Sequence, residues 1–422
     1  MASFLTRYAR GALVIAAVVS SRSTIARSAR ANGRFPAAQA IESVPGRPST
    51  LFLRATFGLL VSHDAGRSWR WICERALGYE GQWDPPIAAT GDGRLWVGLE
   101  DGMTATSDGC GVEAVPELAG ETVRDLTVDP GGERVWAITG APGKRAHVWR
   151  RLPGKRFERL AALEDLDPLT IEVAPSRLER IYVSGRPHGA GRGRLLRSDD
   201  GGAPFTRAAE TEGRPFIGAV DRDDADRLVV RHLRAEATDL LLSRDGGRTF
   251  TSVLTVASAM LGFARTPDGT SWFAGSGLPE HGLFRSSDRG ERFEPIAPVG
   301  VLCLHAVPGA LLACENALTV GAPAIGISRD DGRTLTHLAR FADVEGPVAC
   351  AAPDAAAALC APAWSETRAT FAAAPAPPPP AAAPPPRRSS CHCEAGASGR
   401  APLGVLGCLI GVALTRRRCS RS

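Results

Sequence analysis

The sequence predicts an all-β fold, a seven-bladed β-propeller of four-stranded antiparallel blades, on three observations. A motif of the form Ser-x-Asp-x-Gly-x-x-aromatic recurs at nearly constant spacing. Around each copy, four short alternating apolar runs are bounded by Gly, Pro and Asp, the pattern of strands joined by turns. No helical period interrupts the units, and four strands in a unit of roughly 40–45 residues mark a propeller blade.

The motif carries the register. Complete copies begin at Ser62 ("SHDAGRSW"), Ser198 ("SDDGGAPF"), Ser243 ("SRDGGRTF") and Ser286 ("SSDRGERF"). Ser328 opens a copy with Leu335 in the aromatic place, Thr106 opens one that keeps only Asp108, and Arg150 opens one that keeps Gly154 and Phe157. Successive starts are 44, 44, 48, 45, 43 and 42 residues apart. In such a turn the Asp side chain accepts hydrogen bonds from nearby backbone amides and the Gly supplies angles that a side chain forbids. Asp64, Asp108, Asp200, Asp245, Asp288 and Asp330 are therefore expected to be structural clips between the third and fourth strands.

These turns resemble the Asp-box, or BNR, repeat first named in bacterial neuraminidases, and the resemblance covers roughly residues 36–342. It implies the propeller fold. It does not imply an activity, because sialidases, sortilin-type receptors and photosystem assembly factors share the repeat. A sialidase would need a tyrosine nucleophile, an arginine cluster and an acidic partner. Here the tyrosines are Tyr8, Tyr79 and Tyr182, and no Arg-Ile-Pro motif stands in the first blade.

After the seven units of 36–342, "VACAAPDAAAALC" repeats the opening of the seventh unit, "VLCLHAVPGALLAC". Residues 343–371 are thus expected to form an extra hairpin, either a cap on seven blades or the start of a truncated eighth. In the same hairpin logic, Cys303 would pair with Cys314 and Cys350 with Cys360, which leaves Cys73 for Cys110.

The ends read differently. Residues 1–31 hold Arg7 and Arg10, an apolar run and small residues, the pattern of a secretory leader. Residues 372–390 are a Pro/Ala-rich spacer, extended and unable to pack into a sheet. Residues 391–422 add "CHC", an apolar run from Leu403 to Leu414, and Arg416 to Arg418. This tail resembles the MYXO-CTERM sorting signals of myxobacterial surface proteins. The resemblance implies export, a membrane anchor at the cell surface or outer membrane, and processing at Cys391 or Cys393.

A net charge of +5 over 422 residues does not suggest nucleic-acid binding. The histidines are scattered without metal-ligand spacing, no cofactor motif is present, and "DRDDAD" at 221–226 reads as a solvated acidic turn rather than a calcium loop. The loops between second and third strands, on the face opposite the motif turns, gather Arg186, His188, Arg192, Arg194, Arg234 and His281. They predict a basic half-ring for an anionic polysaccharide or surface protein. The chain therefore reads as a monomeric, non-enzymatic binding or scaffold module. A glycan-active hydrolase is the competing reading, and paired carboxylates facing the channel would favour it.

Overall fold

The computed structural model describes residues 34–189, 191–316, 323–351 and 354–372. The expected leader, the spacer beyond residue 372 and the tail with Cys391 and Cys393 lie outside the described residues. Within them the chain forms seven four-stranded antiparallel sheets, each built from four consecutive strands in order. The innermost strands are Ala38–Val44, Ile87–Ala89, Val123–Val128, Asp167–Ala174, Arg214–Val220, Met260–Arg265 and Val301–Val307. Each packs beside the innermost strand of the next blade, and the seventh packs beside the first, so the sheets close into a seven-bladed propeller.

The blades are held together by apolar faces. Trp136, Tyr182, Phe52, Phe273 and Trp272 are fully enclosed in or between blades. The motif turns fix the outer half of each blade. Ser62 Oγ donates to Asp64 Oδ1 (2.8 Å) and accepts from Gly66 N (2.8 Å), while Asp64 accepts from Ser68 N and Oγ. The same set recurs at Ser243–Asp245–Gly247 and Ser328–Asp330–Gly332. Ser286 and Asp288 likewise hold Gly290 N and Arg292 N, and Ser198 holds Asp200 N and Gly202 N. Asp108 accepts from Cys110 N and Gly111 N.

The glycine has a second role. Gly66 has φ +85°, and a β-carbon there would lie 2.7 Å from Leu338 Cδ2 of the seventh blade. The turn therefore demands glycine both for its backbone angle and for blade-to-blade approach. The motif serine is as important as the aspartate, because its buried hydroxyl accepts the glycine N–H.

Two sequence expectations fail beyond residue 342. The segment expected as a hairpin, or as part of an eighth blade, contains the helix Ala355–Ala372. Alanine is the best helix former and a poor strand former, so "DAAAALC" gains more from a helix than from a ladder. The cysteines follow. Cys303–Cys314 is bonded as expected. The expected Cys350–Cys360 and Cys73–Cys110 pairs are not formed, because Cys73 bonds Cys360 and Cys110 bonds Cys350.

Those two bonds clasp the ring. The chain leaves blade 7, runs along the outer strand of blade 1 with Trp71 N donating to Gly346 O (2.8 Å) and Val348 N to Trp71 O (2.9 Å), then enters the helix. Phe341 and Phe371 pack on Phe57, and Trp364 packs on Trp71. An exposed strand edge is thereby covered.

Charge pairs lock the motif-turn face. Arg180, itself buried, binds Asp199 and Asp226. Glu291 binds Arg227 (2.6 Å) and Arg244. Arg289 binds Asp221 (2.5 Å). The acidic turn at 221–226 is therefore not simply solvated: Asp221 is buried and also holds Asp223 N and Asp224 N.

Non-reducing digestion should yield peptides joined Cys73–Cys360 and Cys110–Cys350. Replacing Cys73 and Cys360 with Ser should lower unfolding stability by about 2–5 kcal/mol in urea titrations, since the bond closes a very long loop. An unchanged midpoint would show that the clasp does not hold the ring.

Candidate functional site

The axis of the ring is a channel of about 600 Å³, walled by the innermost strands. Strand pairing sets one level of side chains around it. Glu42, Ala88, Thr127, Glu172, Ala219, Ala264 and His305 pair with Phe52, Trp96, Trp136, Tyr182, Val229, Phe273 and Leu312 of the second strands. One residue per blade thus forms a belt, and all seven line the channel. Blades 7, 1, 3 and 4 contribute the polar members. Blades 2, 5 and 6 contribute alanines.

Several polar groups join neighbouring blades. Thr127 Oγ1 donates to Glu172 Oε2 (3.1 Å), Ile171 N donates to Asp125 Oδ2 (2.9 Å), and Ser43 Oγ shares a hydrogen bond of 2.8 Å with His305 Nε2. Arg54 donates to Pro85 O (2.9 Å), and Arg231 to Met260 O and Leu261 O (3.1 and 2.6 Å). Glu42 has no hydrogen-bond partner among the described residues.

The electrostatics are governed by burial. Desolvation pushes the Glu42 carboxyl up to about 8, with Asp125 adding to the rise and Arg54 opposing it. Burial and then Asp125 raise Glu172 to about 8, against the Thr127 hydrogen bond. Burial raises Asp125 to about 7 despite amide hydrogen bonds from Ile171 and Leu126. Burial lowers His305 to about 4, Arg231 to about 10, and Arg54 and Arg265 from the usual guanidinium value. Among the described residues, none of the three carboxyls and three guanidiniums forms an ion pair. At neutral pH the belt itself is therefore largely uncharged, and Asp125 is poised near its titration point.

The sequence-predicted residues lie elsewhere. Arg186 ends the second strand of blade 4, Arg194 lies at the start of its third, and His188 and Arg192 occupy the loop between them. Arg234 occupies the matching loop of blade 5, and His281 that of blade 6. Two of these arginines are neutralised locally: Arg194 by Asp165 (3.1 Å) and Arg234 by Asp239 (2.8 Å). Arg186 and Arg192 form no ion pair among the described residues. The basic half-ring is narrower than loop composition suggests, because Asp165 of the preceding loop and Asp239 of the same hairpin neutralise two of its arginines.

Tyr79 and Tyr182 are both buried away from the channel, and Tyr182 donates to Ala225 O (2.7 Å) while accepting from Arg180. Neither offers a nucleophile at the axis. The cluster Cys110, Cys350 and Asp354 includes a disulfide, which leaves no thiolate to ligate a metal. The channel acids were missed from sequence, although a signal exists. Each interrupts the apolar first strand of its blade, in "AIESV", "VRDLTV" and "TIEVA".

No family model and no curated protein matches the chain. Among solved structures it is similar to an ancestral GH74 enzyme, with 14% identity and TM-score 0.52 over 72% of this chain and 45% of that one. It is also similar to the GH74 enzyme of Niastella koreensis, with 12% identity and TM-score 0.43 over 74% of this chain and 66% of that one. A third is YCF48 bound to D1 peptide, with 14% identity and TM-score 0.37 over 51% and 68%. The chain spans under two thirds of the length of either GH74 enzyme, and at these identities the likeness concerns the propeller fold alone.

A carboxyl whose pKa rises on folding keeps a proton that the unfolded chain has already released. Between the unfolded value near 4.3 and the folded value, stability falls as pH rises. Glu42→Gln and Glu172→Gln should therefore be nearly neutral at pH 4.5 and raise the melting temperature by about 2 °C or more at pH 8. A loss that grows with pH would show the carboxylates to be stabilised in their ionised form.

Proposed function

We propose that this chain is an exported, non-enzymatic binding module that receives its ligand at the axis of the propeller. The observation that carries the reading is the channel belt, with half-buried ionisable groups that form no ion pair among the described residues around a cavity of ligand size. Such groups oppose folding, and clustered perturbed carboxyls in a cleft mark functional sites. Three disulfides are those of an extracellular protein. No helix among the described residues is long and apolar enough to cross a membrane. The tail at 391–422, processed at Cys391 or Cys393, would hold the propeller at the cell surface. Arg186, His188 and Arg192 of blade 4, with His281 of blade 6, would meet an anionic stretch of a polysaccharide or surface protein.

The channel carboxyls also favour a second reading, a glycan-active hydrolase. Hydrolysis needs one carboxyl protonated and its partner ionised. Burial raises Glu42 and Glu172 together, and Asp125 less far, so a hydrolase would have to use Asp125 with Glu172 as its pair.

A glycan array probed with the purified full chain should show binding without release of new reducing ends. Arg186→Ala with Arg192→Ala should weaken binding to acidic glycans about tenfold and flatten its salt dependence. Reducing-end release that Glu172→Gln abolishes would establish the hydrolase instead.

A further inference from the structure

The belt divides into two arcs of different chemistry. Blades 7, 1, 3 and 4 present His305, Glu42, Thr127 and Glu172, while the adjacent blades 5 and 6 present Ala219 and Ala264. Ala88 of blade 2 separates the two polar pairs and leaves room between them. Phe263, next to Ala264 on the same strand, also borders the channel, with its ring packed edge-on against Trp272.

The charged groups around the belt are committed elsewhere. Arg54 and Arg231 are bound to backbone carbonyls of the next blade, and Asp125 holds the amide of Ile171. Arg265 stands nearer the motif-turn mouth, with its Nε and Nη1 enclosed and unbonded. An ion at belt level would lose its hydration and find no counter-charge within its own layer. A ligand whose groups both donate and accept hydrogen bonds would find the opposite. Glu42 uses neither oxygen in the protein, Glu172 accepts through Oε2, and His305 engages Ser43 through Nε2. A protonated carboxyl both donates and accepts, as a neutral imidazole does.

We propose that the belt of Glu42, Thr127, Glu172 and His305 is a binding site for an uncharged pyranose, hydrogen-bonded along the polar arc and packed against the alanine arc. This rests on the reading of the channel as the binding site and specifies what that site takes. Hydroxyls satisfy the polar arc, and the C–H face of a sugar ring covers the apolar one. The carboxyls act as neutral hydrogen-bonding groups. Ionisation of Glu42 and Glu172 above about pH 8, under the fields of Asp125, Arg54 and Arg265 and beside neutral His305, removes two donors and weakens the complex.

The test is calorimetric titration of the full chain at pH 7 with D-glucose, D-galactose, D-mannose and D-xylose, their methyl glycosides and linear oligosaccharides. Glucuronate and a short alkylamine serve as charged probes. Binding of an uncharged sugar is expected to survive Glu42→Gln and Glu172→Gln within about threefold, to fall tenfold or more in Glu42→Ala, and to weaken above pH 8 in the wild type but not in the Gln variants. Preference for the methyl glycoside and oligosaccharide over the free sugar would identify a chain end as the source, and the reverse a free monosaccharide. Selective binding of a charged probe that the Gln variants lose, or no binding by any sugar at millimolar concentration, overturns the proposal. Ala219→Trp, which fills the channel, separates the two levels of inference, with Ala264→Phe as its substitute if that variant does not fold. If blocking leaves ligand binding intact, the channel reading itself fails. If blocking abolishes binding while the Gln variants lose it too, only the pyranose assignment fails.

Discussion

A ring of blades is only as secure as the seam where the last blade meets the first. Each blade here is made of four consecutive strands, so no strand is shared across that seam. The chain closes it by another route. After blade 7 it crosses to the outer edge of blade 1, adds a short parallel bridge at Trp71, and is bonded through Cys350 and Cys360 to Cys110 and Cys73. The aromatic contacts of Phe341, Trp364 and Phe371 seal the same junction. Closure fixes the innermost strands at one mutual height, and that common height is what makes a belt of side chains around the axis.

The axis is where the structure departs from the economy of its blades. Elsewhere burial is mostly apolar, and buried Arg180 is paired with Asp199 and Asp226, although Glu315 of blade 7 is buried without an ion pair among the described residues. In the channel, half-buried carboxyls and guanidiniums stand without ion-pair partners among the described residues. Desolvation then governs their protonation more strongly than any neighbouring charge does. The outcome is a channel whose middle is polar yet largely uncharged at neutral pH, lying between more strongly charged levels.

The fold was legible because the propeller is written as a local repeat. Ser62, Ser198, Ser243, Ser286 and Ser328 each begin a turn whose bonds are made within a few residues, so spacing alone counts the blades. Even the eroded copies at Thr106 and Arg150 mark strands that pair. The segment after residue 342 repeats the cysteine spacing of a blade opening, but the helix propensity of its alanines decides its fold. Cys350 and Cys360 looked like hairpin partners, yet their partners lie 240 and 287 residues away. No local pattern reports such a pairing.

The candidate site was less legible for the same reason. The arginines of the loop faces were visible in sequence, but the carboxylate that neutralises Arg194, Asp165, comes from another loop 29 residues away, and only packing sets that distance. Glu42, Asp125 and Glu172 are far apart in the chain and each looks like a single acid in a strand. By itself the sequence determined the seven blades and their motif turns, because short-range hydrogen bonds and alternation specify them. The tertiary structure alone decided which cysteines close the ring and which side chains meet at its axis, because both depend on distances that arise only when the first and last blades come together.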